Sequence, residues 1–178
     1  MKSHFKIIEP GFYTSIQDGG RYGYRNLGLP VSGPMDRNSF DVANKLVDNF
    51  NNEAVLESTL KGPTLLFSGP CYIAVSGAIT PIYKNGKLIK LNQTFFCDIG
   101  DILKIGVVEK GFRNYISFSG GIQKSKIFGS ICQYFPITKN PTIKKGEIIM
   151  LKKLIRKRKL NTNNSNNLSF NKNLIAYR

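Results

Sequence analysis

The sequence predicts a mainly β domain carrying one main α-helix, and three observations predict it. Short runs rich in β-branched and aromatic residues recur along the chain, each bounded by Gly, Pro, Asn or Asp. Asn85-Gly86 lies between two such runs, which is the strongest short signal for a hairpin. One stretch alone, Asp36 to Phe50, changes from the period of a strand to the period of a helix.

The strand-like runs, in chain order, are KIIE, YTSIQ, AVLESTL, PTLLFS, CYIAVSG, TFFCDIG, DILKIGVV, RNYISFSGG and EIIMLKKLI. Many short strands at close intervals build a sandwich or a barrel. Within the helical stretch, Phe40, Ala43, Val47 and Phe50 fall on one stripe, ready to pack on the β core. Asp36 is a natural N-cap, because its carboxylate can accept from the free amides of the first turn. The run DNFNNE then ends the helix. After LKKLIRKRKL the chain turns into NTNNSNNLSFNKN, which has almost nothing to bury. Residues 1–155 therefore read as the domain, with order to about Ile155. Residues 156–178 read as a basic, Asn-rich, disordered linker in which LIAYR begins one more strand.

Length and composition narrow the function classes. A chain of 178 residues, 41% hydrophobic with 12 Phe and 8 Tyr, holds one folded domain or two very small ones. It has no apolar run of about 18 residues for a membrane helix, and MKSHFKIIEPGF is not a signal peptide, so a cytoplasmic location is expected. The net charge of +15 suggests nucleic acid, but Lys144 to Arg178 hold ten Lys or Arg against Glu147 alone. The first 143 residues carry only +6, which argues against a nucleic-acid partner. Cys71, Cys97 and Cys132 form no C-x-x-C pair and His4 is the only histidine, so no metal site is expected. The cysteines read as small buried hydrophobes, and His4 as a surface residue near a mobile start.

Polar side chains stand among glycines in two loops. QDGGRYGY offers Gln17, Asp18 and Arg21. Arg21 has a fork suited to a carboxylate or phosphate, or it pairs with Asp18 to brace a turn. GLPVSGPMD offers Ser32, Gly33 and Asp36, where helix amides attract an anion but Asp36 opposes one, unless the loop is only a rigid helix entry. Glu57 sits in an apolar strand, so it is either partnered by Arg21 or Arg113, or raised in pKa for proton transfer. Gly120 and Gly121 close a strand in a Gly-Gly turn.

Together, PGFYTSIQDGGRYGYRNLGLPVSGPMD, ANKLVDN, AVLESTLKGPTLLF, GAI, GDILKI, GFRNYISFSGGI and FGS follow one another across Pro10 to Ser130. In order and spacing they resemble allophanate hydrolase subunit 2, also called KipA, the 5-oxoprolinase C component or the biotin-dependent carboxyltransferase A/B subdomains. The resemblance implies an incomplete cyclophilin-like β-barrel of the carboxyltransferase A/B type. It implies a component of an ATP-dependent 5-oxoprolinase, which opens 5-oxo-L-proline to L-glutamate. ATP would be used by the assembled hydrolase, and this chain would bind no cofactor of its own. The implied partners are a subunit 1/KipI-like protein and a lactam-utilisation protein like the 5-oxoprolinase A component.

Two other functions stay open. One is a carboxyltransferase module of a urea amidolyase, with biotin on another chain; the other is a non-catalytic KipI-binding regulatory module. Carried over residue by residue, the resemblance assigns catalysis to Asp18, Arg21 and Glu57. It assigns substrate binding to Gln17, Ser32, Gly33, Asp36, Gly120 and Gly121. The chain departs from the family after Ser130, where ICQYFPITKNPTIKKGE replaces a Ser/Thr/Gly-rich loop, and in being much shorter. A truncated reading frame and an isolated chain without activity are the expectations that follow.

Overall fold

The structure, a computed structural model, describes residues 3–50 and 52–153. In chain order its strands are β1 (His4–Glu9), β2 (Tyr13–Gln17), β3 (Val55–Thr59), β4 (Thr64–Phe67), β5 (Cys71–Ile79) and β6 (Ile82–Lys84). Then come β7 (Lys87–Ile89), β8 (Thr94–Cys97), β9 (Ile102–Ile105), β10 (Lys110–Phe118), β11 (Ile122–Gln123) and β12 (Ile148–Leu151). Helix α1 (Arg37–Leu46) lies between β2 and β3. The expected composition, mainly β with one α-helix, is what forms.

The strands make two antiparallel sheets. One has seven strands in the order β11-β12-β1-β4-β9-β6-β7; the other has five in the order β2-β3-β10-β5-β8. Alternation along β3 and β10 explains the layers. Leu56, Ile116 and Phe118 point inward and join Phe5, Ile7, Leu65 and Phe67 in a core between the sheets. The Phe118 ring stacks on Phe5 at 4.6 Å between centroids. The opposite face of the five-stranded sheet carries Val55 and Tyr115, and α1 buries them under Phe40 and Ala43. Helix, five-stranded sheet and seven-stranded sheet thus stack as three layers.

The Asn85-Gly86 turn joins β6 to β7 with φ of 49° and 79°, the left-handed pair that an Asn-Gly hairpin takes. Asp36 caps α1, its carboxylate accepting from the Ser39 amide at 3.1 Å. The helix ends sooner than its stripe implies. Val47 is buried, but Phe50 is 60% exposed, because Asp48 adopts a left-handed φ of 54° and turns the chain away. Asn44 and Asn49 fasten this turn: Asn49 Nδ2 donates to Asn44 Oδ1 and to the Phe118 carbonyl, each at 2.9 Å.

His4 belongs to β1 and is half-buried, not part of a mobile start. The strand at DILKIGVV stops at Ile105, short of the expected run. The expected Asn-rich tail, the strand at LIAYR and the limit of order near Ile155 lie outside the described residues. Among the described residues, no helix is long and apolar enough to cross a membrane.

Candidate functional site

Strand β2 delivers Gln17 and Asp18 to a tight turn at Gly19-Gly20. Gly20 has φ of 107°, and a Cβ there would lie 3.0 Å from Val31 Cγ1 and 3.2 Å from the Val31 carbonyl oxygen. Only glycine suits both the angle and the close approach. The turn lets the Arg21 amide donate to the Val31 carbonyl at 2.6 Å, which ties the two Gly-rich loops together.

Asp18 and Arg21 do not pair with each other. Both instead grip the segment that follows β11. Asp18 Oδ1 accepts from Ser130 Oγ at 2.7 Å, Gly20 N at 2.9 Å and Cys132 Sγ at 3.0 Å, while Oδ2 accepts from Ile131 N at 2.8 Å. Arg21, only 1% exposed, donates from Nε to the Ile127 carbonyl at 3.1 Å and from Nη2 to the Cys132 carbonyl at 3.1 Å. Its Nη1 donates to Ser32 Oγ at 3.2 Å. Hydrogen bonds of this charge-assisted kind are the strong ones, so residues 127–132 are held from two sides. The Cys132 thiol is pushed up to about 11, first by burial and then by the Asp18 charge. It is therefore protonated at neutral pH and serves as a donor, not as a nucleophile.

Glu57 lies in the middle of β3 on the helix-facing side, across from Tyr115 in β10 and Ser15 in β2. Its partner is Arg113, not Arg21: Arg113 Nη1 donates to Oε1 at 2.6 Å. Oε2 accepts the Met35 amide at 2.8 Å, and the next amide, Asp36, donates to the Tyr115 hydroxyl at 2.7 Å. Burial, and then the nearby Glu57 charge, raise the Tyr115 phenol well above its ordinary value and keep it protonated. One loop, Ser32 to Asp36, thus connects Arg21 at one end to Glu57 and Tyr115 at the other. Ser32 sits in the left-handed region at φ 58°, beside Gly33 at 96°.

Asp18, Arg21, Ser32, Gly33, Asp36 and Glu57 are brought into this continuous network. Gln17 flanks it, donating to Ser15 Oγ at 2.9 Å and to the Gln133 carbonyl at 3.3 Å, while its Oε1 has no partner among the described residues. Gly120 and Gly121 lie elsewhere. They form the turn between β10 and β11, where the Gly120 amide donates to Asn49 Oδ1 at 2.7 Å and the Gly121 carbonyl accepts from Lys152 N at 3.0 Å. Sequence reasoning missed Tyr115, Ser130, Cys132 and Gln133. Gln133 Oε1 accepts the Ile16 amide at 2.9 Å across 117 positions of chain, and no local signal announces such a pairing.

Beside the gripped segment opens a hollow of about 190 Å³. Buried Ser130 and Gln133 line its inner part, exposed Lys124 and Lys139 its rim, with Ile127 and Ile131 between. Tyr22, Met35 and Phe135 are exposed on the loops around the network, and the Tyr24 and Phe128 rings meet at 5.1 Å. Among the described residues, no group of three or more His, Cys, Asp or Glu side chains could hold a metal ion.

The chain is similar to proteins of known activity. Residues 27–174 match the family model of the carboxyltransferase domain, subdomain A and B. Urea amidolyase of Lachancea kluyveri is 42% identical over 127 residues, covering 71% of this chain and 7% of that protein. The C component of the Escherichia coli 5-oxoprolinase is 33% identical over 125 residues, covering 70% of this chain and 40% of that protein. The crystal structure of K. lactis urea amidolyase superposes with a TM-score of 0.80 at 39% identity, over 85% of this chain and 10% of that one. The chain thus spans less than half the length of either curated relative.

Proposed function

The chain belongs to the carboxyltransferase subdomain A and B family, and from that premise we propose that it is the counterpart of the C component in an ATP-dependent 5-oxoprolinase. The observation that carries this reading is its 33% identity to a 5-oxoprolinase C component over 70% of the chain. In the assembled enzyme, a subunit 1/KipI-like protein and a lactam-utilisation protein would complete the site where ATP is spent. The exposed apolar side chains of Tyr22, Met35 and Phe135, set beside the buried network, give such partners a surface to cover.

In this role Asp18 and Arg21 act as positioning residues. Their polar atoms are directed at protein groups, so they set the shape of the 127–133 segment and do not touch substrate. Glu57 is held in the same way, by Arg113 and the Met35 amide, so it braces the 32–36 loop.

A second reading is transfer of a carboxyl group to urea. It is favoured by the higher identity, 42%, to a urea amidolyase. Biotin on another chain would then supply the carboxyl group.

Reconstitution tests both readings. The chain is co-expressed with its candidate partner proteins, and ADP release is followed with 5-oxo-L-proline or with urea. Release that needs 5-oxoproline and every partner is the expected result, with none from the chain alone. Release that needs urea and a biotin carrier would replace the first reading by the second. Release by neither would remove both.

A further inference from the structure

We propose that the hollow bordered by residues 124–140 is an anion subsite that holds the carboxylate of a small planar amide. The proposal rests on the 5-oxoprolinase reading for the identity of that amide. Its size is the first argument. At about 190 Å³ the hollow is smaller than the roughly 300–1,000 Å³ of pockets for drug-sized ligands, so it admits a single small ring.

Charge is the second argument. Lys124 and Lys139 line the hollow, and no carboxylate does among the described residues. Lys124 faces Glu147 at 3.7 Å, a loose pair that an incoming anion would contest. Lys139 has no ion pair among the described residues and is the principal cation. The nearest buried negative charge, Asp18, lies behind Ser130, where four donors already meet it. Arg21 stands against the same segment through the Ile127 and Cys132 carbonyls. The field at the hollow is therefore positive.

Pre-organisation is the third argument. Ser130 and Gln133 are fixed by bonds to Asp18 and Ile16, and Thr138 Oγ1 bonds back to the Tyr134 and Asn140 carbonyls at 3.2 and 3.0 Å. The ring would lie against Ile127 and Ile131 while its carboxylate meets Lys139. A site whose shape exists before the ligand arrives loses less to ordering on binding.

Calorimetric titration of the full 178-residue chain tests this, with sodium 5-oxo-L-proline, 2-pyrrolidinone and inorganic phosphate as probes. The expected result is saturable 5-oxoproline binding, with the neutral lactam bound about tenfold more weakly or worse. Lys139→Gln should weaken 5-oxoproline by about tenfold, Lys139→Arg should restore it, and Lys104→Gln on β9 should change nothing. Equal binding of pyrrolidinone, indifference to Lys139→Gln, or no saturable binding at millimolar concentrations would overturn the proposal. Lys139-dependent binding of phosphate alone would overturn the carboxylate assignment. Lys139-dependent 5-oxoproline binding in a chain whose reconstituted enzyme never turns that compound over would uphold the subsite and sink the enzymatic reading by itself.

Discussion

The core between the sheets and the loop network beside it are built by opposite means. In the core, Phe5, Phe67 and Phe118 meet through alternation that is visible within each strand. In the network, buried charges meet groups that lie far away along the chain. Asp18 bonds to Ile131 across 113 positions, Arg21 to Cys132 across 111 and Glu57 to Arg113 across 56. The core depends on volume and tolerates apolar exchange; the network depends on directed hydrogen bonds and tolerates little. Substitutions should therefore separate the two regions.

The largest effect should come from the core. Phe118→Ala removes a ring with 0% exposure that packs on two others, and should cost about 3–5 kcal/mol in urea unfolding. A loss under about 1 kcal/mol would mean that the sheets do not enclose one shared core. Asp18→Asn should come next, at roughly 2 kcal/mol, because the new amide nitrogen faces the Ile131 N–H in place of an acceptor. The comparison sharpens if this variant loosens residues 127–133 and leaves the strands alone. Asp36→Ala should cost about 1 kcal/mol, the value of an N-cap. If it instead abolishes turnover in a reconstituted enzyme while stability holds, Asp36 has a chemical role as well.

A further effect concerns pH. Burial pushes the Cys71 and Cys132 thiols up to about 11 and Cys97 to about 12. Folded pKa values above the unfolded value mean that this contribution is complete below about pH 9 and is lost as pH rises toward 11–12. Urea midpoints should therefore fall above about pH 9, and less steeply in Cys97→Ala. An unchanged slope would show that the Cys97 thiol is not shielded in the core.

The same contrast explains what is legible in the sequence. YTSIQ is β2 to the residue, and Asn85-Gly86 is the hairpin turn, because both signals are local. The Asp36 cap is readable for the same reason. The positions that feed the network are readable as polar residues among glycines, but their partners are not. Asp18 reads as a partner for Arg21, yet each meets the 127–132 segment, which the sequence shows only as the FGS block and the departure from the family pattern that follows it. Cys132 reads as a buried hydrophobe and is in fact a hydrogen-bond donor to a buried carboxylate. Gly120 and Gly121 carry a turn signal without any indication of which end of the sheet they close.

Hydrogen exchange on Arg21→Gln tests most directly the claim that the buried loop positions the 127–133 segment. Glutamine cannot reach Ser32, Ile127 and Cys132 together. The account predicts that the amides of Ile131, Cys132 and Gln133 lose protection while those of Ile116 and Phe118 in β10 keep theirs. Equal loss in both regions, or retained protection at Ile131 to Gln133, would contradict it.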